Sequence, residues 1–332
     1  MRLKMLGILL VVLALLPALV ACGEDEGSGD LDEVTIGLTF VPNIQFAPFY
    51  VAIEQGYYED AGVSVTLNHH AAGSDQYGAL VAGQEDMMMA AGDEAMQVRA
   101  QDVDIVYVAE VFRKYPVALI VPADSDIASV SDLAGKKVGI PGEYGANYIG
   151  LLALLEQAGL TKDDIEIMSV GFTQAQALLS GEVDAITGYI NNEPIQLQKA
   201  GMETRTFAVS EALPIVSNGL VAMEEYLSEN GDQARAIIEA TLRGVEYAIA
   251  NPEETVEIAK EFVPTLEDEQ QATDALAVLQ ATIPLWETNG AVLGSSNLDA
   301  WQQTADFLQE NGLLASPVAV DDVYSADYLP EE

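Results

Sequence analysis

The sequence predicts an α/β protein with two lobes, each a mostly parallel sheet flanked by helices, and a ligand cleft between the lobes. Apolar, β-branched runs alternate with helical patterns from residue 34 to residue 223, which is typical of parallel sheets covered by helices. The chain has 332 residues, more than a single core usually holds, so two cores are expected. A chain that builds a second lobe and then returns to the first places a cleft between them.

The order of these runs defines the predicted elements. Strands are predicted over residues 34–39, 63–67, 86–90, 105–111, 117–122, 137–140, 165–170, 185–187, 204–208 and 219–223. Helices are predicted over residues 48–58, 76–82, 94–101, 146–158, 174–180, 193–199, 233–250, 252–261, 267–282 and 298–311. We therefore expect the first lobe over residues 34–117, the second over 118–214, and a return to the first lobe with C-terminal helices over 215–332.

The N-terminal 21 residues are predicted to be a lipoprotein signal peptide. A basic start precedes an apolar run that is shorter than the ~20 residues needed to span a bilayer. The run ends in Leu-Val-Ala-Cys22, which resembles the bacterial lipobox, and Cys22 is the only cysteine of the chain. We expect lipid on Cys22 to anchor the protein on the extracytoplasmic side of the cell membrane. A plain secretion signal with an incidental cysteine is the alternative.

The next segment and the overall charge limit the choice of partners. Residues 22–33 are acidic and glycine-rich, which is typical of a flexible tether. The chain carries 13 Lys and Arg against 53 Asp and Glu, a formal net charge of −40. Such a surface repels polyanions, so no nucleic acid partner is expected. The acidic residues are scattered along predicted helices, which favours a solvated surface; attraction of cationic ligands is the alternative.

The most informative stretch is residues 34–67, a strand, a polar and aromatic loop, a helix and a second strand. Its loop carries Pro42, Asn43, Gln45 and Phe46 where a parallel sheet presents its ligand-facing edge. This arrangement indicates a protein that binds a small molecule.

Two motifs connect the chain with a known family. The segment GYYEDAG at 56–62, after the APFYVA helix at 47–52, resembles the substrate-binding proteins of ABC importers that serve sulfonates, nitrate, thiamine pyrimidines and riboflavin. So does SDLAGKKVG at 131–139, and the resemblance covers about residues 34–315. It implies a type II periplasmic-binding-protein fold, a small-molecule ligand, ABC permease subunits as partners and a monomeric protein.

Three loops resemble the thiamine-pyrimidine and riboflavin group more than the anion binders. They are FVPNIQF at 40–46, with Phe where Trp is common at 40, GEYG at 142–145, and GYINNEP at 188–194, where the spacing differs from the group. The first and third together resemble riboflavin-binding components, so riboflavin is the expected ligand. A thiamine pyrimidine precursor, hydroxymethylpyrimidine or formylaminopyrimidine, is the alternative, and sulfonate or nitrate is the weaker one.

The chemistry of the expected cleft loops agrees with a neutral, planar ligand. An anion needs basic donors, and these loops offer little beyond Arg113 and Lys114. Aromatic faces stack on a heterocycle, and amides and carboxylates pair with ring NH, C=O and hydroxyl groups. No cofactor is expected. The predicted ligand-binding residues are Phe40, Asn43, Gln45, Phe46, Asp93, Tyr115, Glu143, Tyr144, Tyr148, Phe172, Tyr189, Asn192, Glu193 and Asn218, and Asn147, Gln174 and Trp286 offer similar chemistry.

Several of these residues have a structural alternative. Asn43 after a proline is also a good helix cap, and Glu143 between glycines could face water or cap the next helix. Tyr189 and Phe172 follow buried strands and could close the core. Trp286, in the helical C-terminal region, is expected to pack rather than stack on a ligand.

The chain is not expected to be an enzyme. The family resemblance extends to eukaryotic enzymes that make the thiamine pyrimidine, but those rely on a cysteine-rich motif and a reactive histidine. Here the only cysteine is Cys22, and the only histidines are His69 and His70. Neighbours on a strand point to opposite faces, so this pair is not expected to share a metal ion. A structural or adhesive lipoprotein is compatible with the composition, although the polar loops argue against it.

Overall fold

The structure is a computed structural model and describes residues 31–71, 76–288 and 290–330. The predicted signal peptide, Cys22 and most of the tether lie outside the described residues. The strands are β1 (Asp32–Leu38), β2 (Val63–His69), β3 (Met87–Ala91), β4 (Ile105–Glu110), β5 (Val117–Pro122), β6 (Lys137–Ile140), β7 (Glu166–Ser169), β8 (Ala185–Tyr189), β9 (Thr204–Ala208) and β10 (Asn218–Met223).

The helices alternate with these strands and then dominate the C-terminal part. They are α1 (Ala47–Glu54), α2 (Tyr57–Asp60), α3 (Gln76–Val81), α4 (Gly92–Arg99), α5 (Gly145–Gln157), α6 (Gln174–Leu179), α7 (Glu193–Lys199), α8 (Val209–Ala212), α9 (Glu224–Glu229), α10 (Gly231–Ala250), α11 (Pro252–Ala259), α12 (Glu269–Trp286), α13 (Leu298–Glu310) and α14 (Val320–Val323). Short 3-10 turns occur at Ile44–Phe46, Val130–Leu133, Lys162–Asp164 and Pro264–Glu267.

The strands form two five-stranded sheets, in the orders β2-β1-β3-β10-β4 and β7-β6-β8-β5-β9. In the first sheet β10 runs antiparallel to both of its neighbours, and in the second sheet β5 does the same. The other four strands of each sheet therefore share one direction, as the sequence predicts. We call the first sheet with the helices packed on it the first lobe, and the second sheet with its helices the second lobe.

The chain passes between the sheets twice. The first passage lies between β4, which ends at Glu110, and β5, which begins at Val117. The second lies between β9, which ends at Ala208, and β10, which begins at Asn218. The first lobe thus contains strands from both sides of the second in the sequence.

Apolar packing holds the described helices on both sheets. In the first lobe α1 packs against α10 and α11, and its Phe49 and Tyr50 are fully buried. In the first lobe Trp286 is also fully buried and meets Phe112 edge-on, with ring centroids 5.7 Å apart. The structure therefore has Trp286 in the core, which agrees with the packing expectation.

The boundaries differ from the prediction where glycine ends a helix. The single helix expected over residues 48–58 is divided into α1 and α2 by Gly56, whose φ of 70° lies in the left-handed region. A left-handed residue ends an α-helix, and glycine adopts this conformation without steric cost. Within the described ranges, no helix combines the length and the apolar character needed to cross a bilayer.

Candidate functional site

A cleft with a volume of about 610 Å³ lies between the two lobes. This volume is within the ~300–1,000 Å³ that small-molecule sites usually have. The lining residues of the first lobe are Thr39, Phe40, Asn43, Gln45, Phe46, Tyr77, Met89, Ala91, Glu94, Gln97, Val98, Gln101, Phe112 and Asn218, and those of the second are Pro141, Tyr144, Gly145, Ala146, Asn147, Phe172, Gln174, Tyr189, Asn192 and Glu193.

The topology explains why these residues meet. Loops that follow β1 and β3 in the first sheet and β6, β7 and β8 in the second supply most of the lining. Within each sheet these strands run parallel to one another, so their carboxyl ends lie at the same edge of that sheet. Ligands of open α/β sheets bind at this edge.

The first wall is built by the loop after β1, and Asn43 shapes it. The Asn43 Oδ1 atom accepts a hydrogen bond from the backbone N–H of Gln45 at 2.9 Å, and its Nδ2 donates to the carbonyl of Val41 at 3.0 Å. Asn43 thus caps the turn that follows and also lines the cleft. Gln45 Nε2, close to Asn43 in the sequence, is buried with no hydrogen-bond partner in the described ranges.

Aromatic side chains provide the apolar surface of the cleft. Phe46 is 6% exposed and meets His69 edge-on, with ring centroids 5.5 Å apart. Phe40 of the first lobe contacts Phe172 of the second, with ring centroids 5.6 Å apart and a tilt of 43°. The Phe40–Phe172 contact therefore joins the two lobes across the cleft.

The two histidines point to opposite faces of their strand, as predicted. His69 Nε2 lies 3.3 Å from the Tyr50 hydroxyl and its Nδ1 lies 2.9 Å from the Phe40 carbonyl. His70 Nε2 instead lies 2.7 Å from Glu85 Oε1. Burial lowers the pKa of His69, so its neutral form is favoured behind the first wall.

The second wall of the cleft is formed by the lining residues of the second lobe, and two of its aromatic rings are exposed to solvent. Tyr144 is 54% exposed and Phe172 is 50% exposed. The Tyr144 ring lies over Gly142, where an added Cβ would approach a ring carbon to 2.3 Å. Any larger residue at position 142 would displace this ring from the wall.

Glu193 and Tyr189 form a polar cluster at the carboxyl end of β8. The Glu193 Oε2 atom accepts from the backbone N–H of Tyr189 at 2.6 Å, and Oε1 accepts from Asn192 Nδ2 at 3.2 Å. A side-chain hydrogen bond joins Tyr189 with Asn218 of the first lobe. Burial raises the pKa of Glu193 to about 7, so this carboxyl group can accept or donate a hydrogen bond near neutral pH.

Two neighbouring carboxyl groups, those of Asp93 and Glu94, lie at the start of α4. Glu94 lines the cleft and accepts from the backbone N–H of Ala146 in the second lobe. Burial raises the pKa of Glu94, and the neighbouring Asp93 raises it further. The Asp93 Oδ2 atom accepts from the Tyr115 hydroxyl at 2.7 Å, and Tyr115 also donates to the Ala146 carbonyl at 3.1 Å. Burial raises the pKa of Asp93 as well.

The described lining residues include no lysine and no arginine. Arg113, which the sequence places near the cleft, donates to Glu110 at 2.7 Å and to the Ser295 carbonyl. Its charge is thus neutralised outside the cleft. A site with carboxylates and amides but without basic side chains disfavours an anionic ligand.

Most of the predicted ligand-binding residues meet in this cleft. Those that line it are Phe40, Asn43, Gln45, Phe46, Tyr144, Phe172, Tyr189, Asn192, Glu193 and Asn218, together with Asn147 and Gln174. Tyr189 lines the cleft and also packs against an apolar cluster, whereas Phe172 lines the cleft and is half exposed.

Four of the predicted ligand-binding residues do not line the cleft. Asp93 and Tyr115 are 0% and 2% exposed and pair with each other behind the wall. Tyr148 is 8% exposed because α5 turns it into the core of the second lobe. Glu143 faces solvent, and its side chain does not cap α5.

Sequence reasoning missed the face of α4 that lines the cleft with Glu94 and Gln97, and Gln101 just after this helix. The signal was present, because an acidic pair follows the buried strand β3. The prediction chose Asp93, whereas the helix turns Asp93 inward and Glu94 toward the cleft. Tyr77, whose hydroxyl is buried without a partner, carried no comparable signal. Within the described ranges, no group of three or more His, Cys, Asp or Glu side chains could hold a metal ion.

The family model described as NMT1/THI5 like matches residues 43–255, which include most of the cleft. The chain belongs to the NMT1/THI5-like family. A relative named riboflavin-binding protein RibY, from Chloroflexus aurantiacus, is 30% identical over 308 residues, 90% of this chain and 87% of that protein. The formylaminopyrimidine-binding protein of Halalkalibacterium halodurans is 27% identical over 97% of this chain and 98% of its own length.

Solved structures show the same fold for this NMT1/THI5-like protein. The periplasmic aliphatic sulphonate binding protein SsuA of Escherichia coli superposes with a TM-score of 0.73 at 20% identity, covering 90% of this chain and 99% of that one. The two-lobe periplasmic-binding-protein fold predicted from the sequence is confirmed.

Enzymes also occur among the relatives. The 4-amino-5-hydroxymethyl-2-methylpyrimidine phosphate synthase of Legionella pneumophila is 24% identical over 70% of this chain and 74% of its own length. This match is shorter and less similar than those to the two binding proteins. The comparisons therefore favour a solute-binding protein over an enzyme.

Proposed function

We propose that this protein is the extracytoplasmic solute-binding component of an ABC importer and that its ligand is riboflavin. The observation that carries the proposal is the composition of the cleft, where aromatic, amide and carboxyl side chains line about 610 Å³ and no lysine or arginine is among the described lining residues. Such a site suits a neutral, planar ligand with many hydrogen-bonding groups.

Unpartnered polar atoms define where such a ligand would bind. Gln45 Nε2, the Tyr77 hydroxyl and Asn147 Oδ1 are buried without hydrogen-bond partners among the residues that the structure describes. A buried polar group without a partner costs free energy, which a ligand that pairs with it recovers. Riboflavin offers ring C=O and NH groups and a chain of hydroxyls, and Phe40, Phe46 and Phe172 supply rings for its flat ring system.

The second candidate is a thiamine pyrimidine precursor. It is favoured by the carboxyl groups of Glu94 and Glu193 at the cleft, since an exocyclic amine needs acceptors. The formylaminopyrimidine-binding relative supports this choice. A single pyrimidine ring would leave more of the cleft unfilled than a three-ring flavin does.

The cellular setting belongs to the same proposal. Lipid on Cys22 holds the protein on the outer side of the membrane, the tether before β1 gives it reach, and the two lobes deliver the ligand to ABC permease subunits as a monomer. The sequence at Cys22 and the fold shared with periplasmic binding proteins support this assignment.

Calorimetric titration of the full-length protein in detergent tests the proposal, with riboflavin, hydroxymethylpyrimidine, formylaminopyrimidine, taurine and nitrate as ligands. We expect saturable one-to-one binding of riboflavin and quenching of its fluorescence by the aromatic wall. Binding of a pyrimidine alone would assign the second candidate. Binding of taurine or nitrate would contradict the charge argument.

A further inference from the structure

A turn of the second lobe contacts a helix of the first lobe beside the cleft. Asn191, directly after β8 of the second lobe, donates from Nδ2 to the Thr282 Oγ1 atom of α12 at 2.7 Å. α12 belongs to the first lobe, where Leu279 and Trp286 are buried in the core. Asn191 and Thr282 are both 0% exposed. The hydrogen bond therefore ties the lobes together away from solvent.

The hydrogen-bond geometry makes Thr282 difficult to replace. Its hydroxyl accepts from Asn191 and donates to the Val278 carbonyl at 2.7 Å. Within the described part of the chain the Asn191 Oδ1 atom has no partner, so Nδ2 makes the one side-chain hydrogen bond seen there for this amide. Without Thr282 Oγ1, the buried Asn191 amide would lose this bond, and that loss is costly.

Further contacts join the same two elements. Lys199, the last residue of α7, forms an ion pair with Asp274 of α12. Ile190 packs against the apolar clusters of both lobes. α12 therefore contacts the second lobe at Asn191 and at Lys199, on either side of the cleft residues Asn192 and Glu193.

We propose that Asn191 and Thr282 are a positioning pair. Their hydrogen bond fixes the position of residues Tyr189 to Glu193, the β8 wall of the cleft, relative to the first lobe. Neither side chain lines the cleft. The pair acts on the ligand through its neighbours, because Asn191 is one residue from Asn192 and two from both Tyr189 and Glu193. This inference rests on the ligand-binding function proposed above.

The test compares three variants of the full-length protein. Thr282→Val keeps the shape but removes the acceptor, and we expect riboflavin to bind about tenfold more weakly. Thr282→Ser keeps the hydroxyl and should retain wild-type affinity. Thr255→Val is the matched control, and we expect no change in its affinity. Thr255 is also fully buried in the first lobe, but its Oγ1 has no hydrogen-bond partner among the described residues.

A second readout does not depend on the ligand. Hydrogen exchange of the ligand-free protein should be faster in residues 189–193 of Thr282→Val than in wild type, and unchanged there in Thr255→Val. A general loss of stability would instead accelerate exchange throughout the first lobe. Unchanged exchange in residues 189–193 of Thr282→Val would overturn the positioning role. Absence of riboflavin binding by the wild type would refute the proposed ligand while the exchange result still decides the role of the pair.

Discussion

The two walls of the cleft differ in how they are supported. The first wall rests on the core: Phe46 is 6% exposed, and His69 and Tyr50 lie behind it. The second wall ends in aromatic rings that solvent reaches, with Tyr144 at 54% and Phe172 at 50% exposure. Side chains with many buried contacts are held in one position, whereas exposed ones can adjust.

This difference assigns the walls distinct roles. The first wall is built before a ligand arrives, because its residues also stabilise the first lobe. The second wall contributes rings that gain most of their burial only when a ligand or the opposite wall covers them. The first wall should therefore link binding to stability, and the exposed rings of the second wall should affect binding alone.

Truncating the buried aromatic residue should have the largest effect. Phe46→Ala removes a core side chain, and we expect the free energy of unfolding to fall by about 3–5 kcal/mol. Phe172→Ala removes an exposed ring and should change the free energy of unfolding by less than about 1 kcal/mol. Urea denaturation measures both. Equal losses in the two variants would contradict the division between the walls.

The next effect is a pH dependence in the second wall. Burial raises the pKa of Glu193 to about 7 in the folded protein, against about 4.3 for an exposed glutamate. Between these values the folded state holds a proton that the unfolded state releases, so stability falls as pH rises through this window. From pH 4.5 to 8, wild type should lose up to about 3 kcal/mol of unfolding free energy relative to Glu193→Gln.

Denaturation of both proteins across that range measures this difference. The contributions of Asp93 and Glu94 are present in both proteins, so the difference isolates position 193. A constant difference between pH 4.5 and 8 would show that the Glu193 carboxyl titrates as an exposed group.

A smaller effect is expected from the unpartnered amide of the first wall. Gln45→Leu removes the buried Nε2 atom, so the free energy of unfolding should stay the same or rise by up to about 1 kcal/mol. Riboflavin affinity should fall by about 1–3 kcal/mol if this amide pairs with the ligand. Gln55→Leu, on the exposed surface of the same lobe, is the control. Unchanged affinity in Gln45→Leu would place the ligand elsewhere.

The sequence predicted the first wall well because its signals are local. Pro42, Asn43 and Phe46 lie in one five-residue stretch of the loop that follows a clear strand, and strand ends determine which loops meet. The positions of the strands along the chain and the mostly parallel sheets followed from the alternation of apolar and helical patterns. Gly56 was the exception, since its left-handed conformation depends on how α1 meets α2.

The sequence predicted the rest of the cleft less well because orientation on a helix is not local. Asp93 and Glu94 are neighbours, and only the packing of α4 on the sheet determines which one faces the cleft. The same holds for Tyr148, which α5 turns into the core. Contacts between distant segments, such as Asn191 with Thr282, leave no pattern in a single sequence.

The smallest expected effect tests the second wall by itself. Phe172→Ala should weaken riboflavin binding by about 0.5–1.5 kcal/mol, the usual worth of an aromatic pair, and should not alter stability. Phe172 also contacts Phe40 across the cleft. If the two rings close over the ligand as a pair, their contributions to the binding free energy are coupled. The double variant Phe40→Ala/Phe172→Ala should then lose less affinity than the two single variants combined. Strictly additive losses in calorimetric titration would mean that each ring contacts the ligand independently, and that the second wall does not depend on the first for its role in binding.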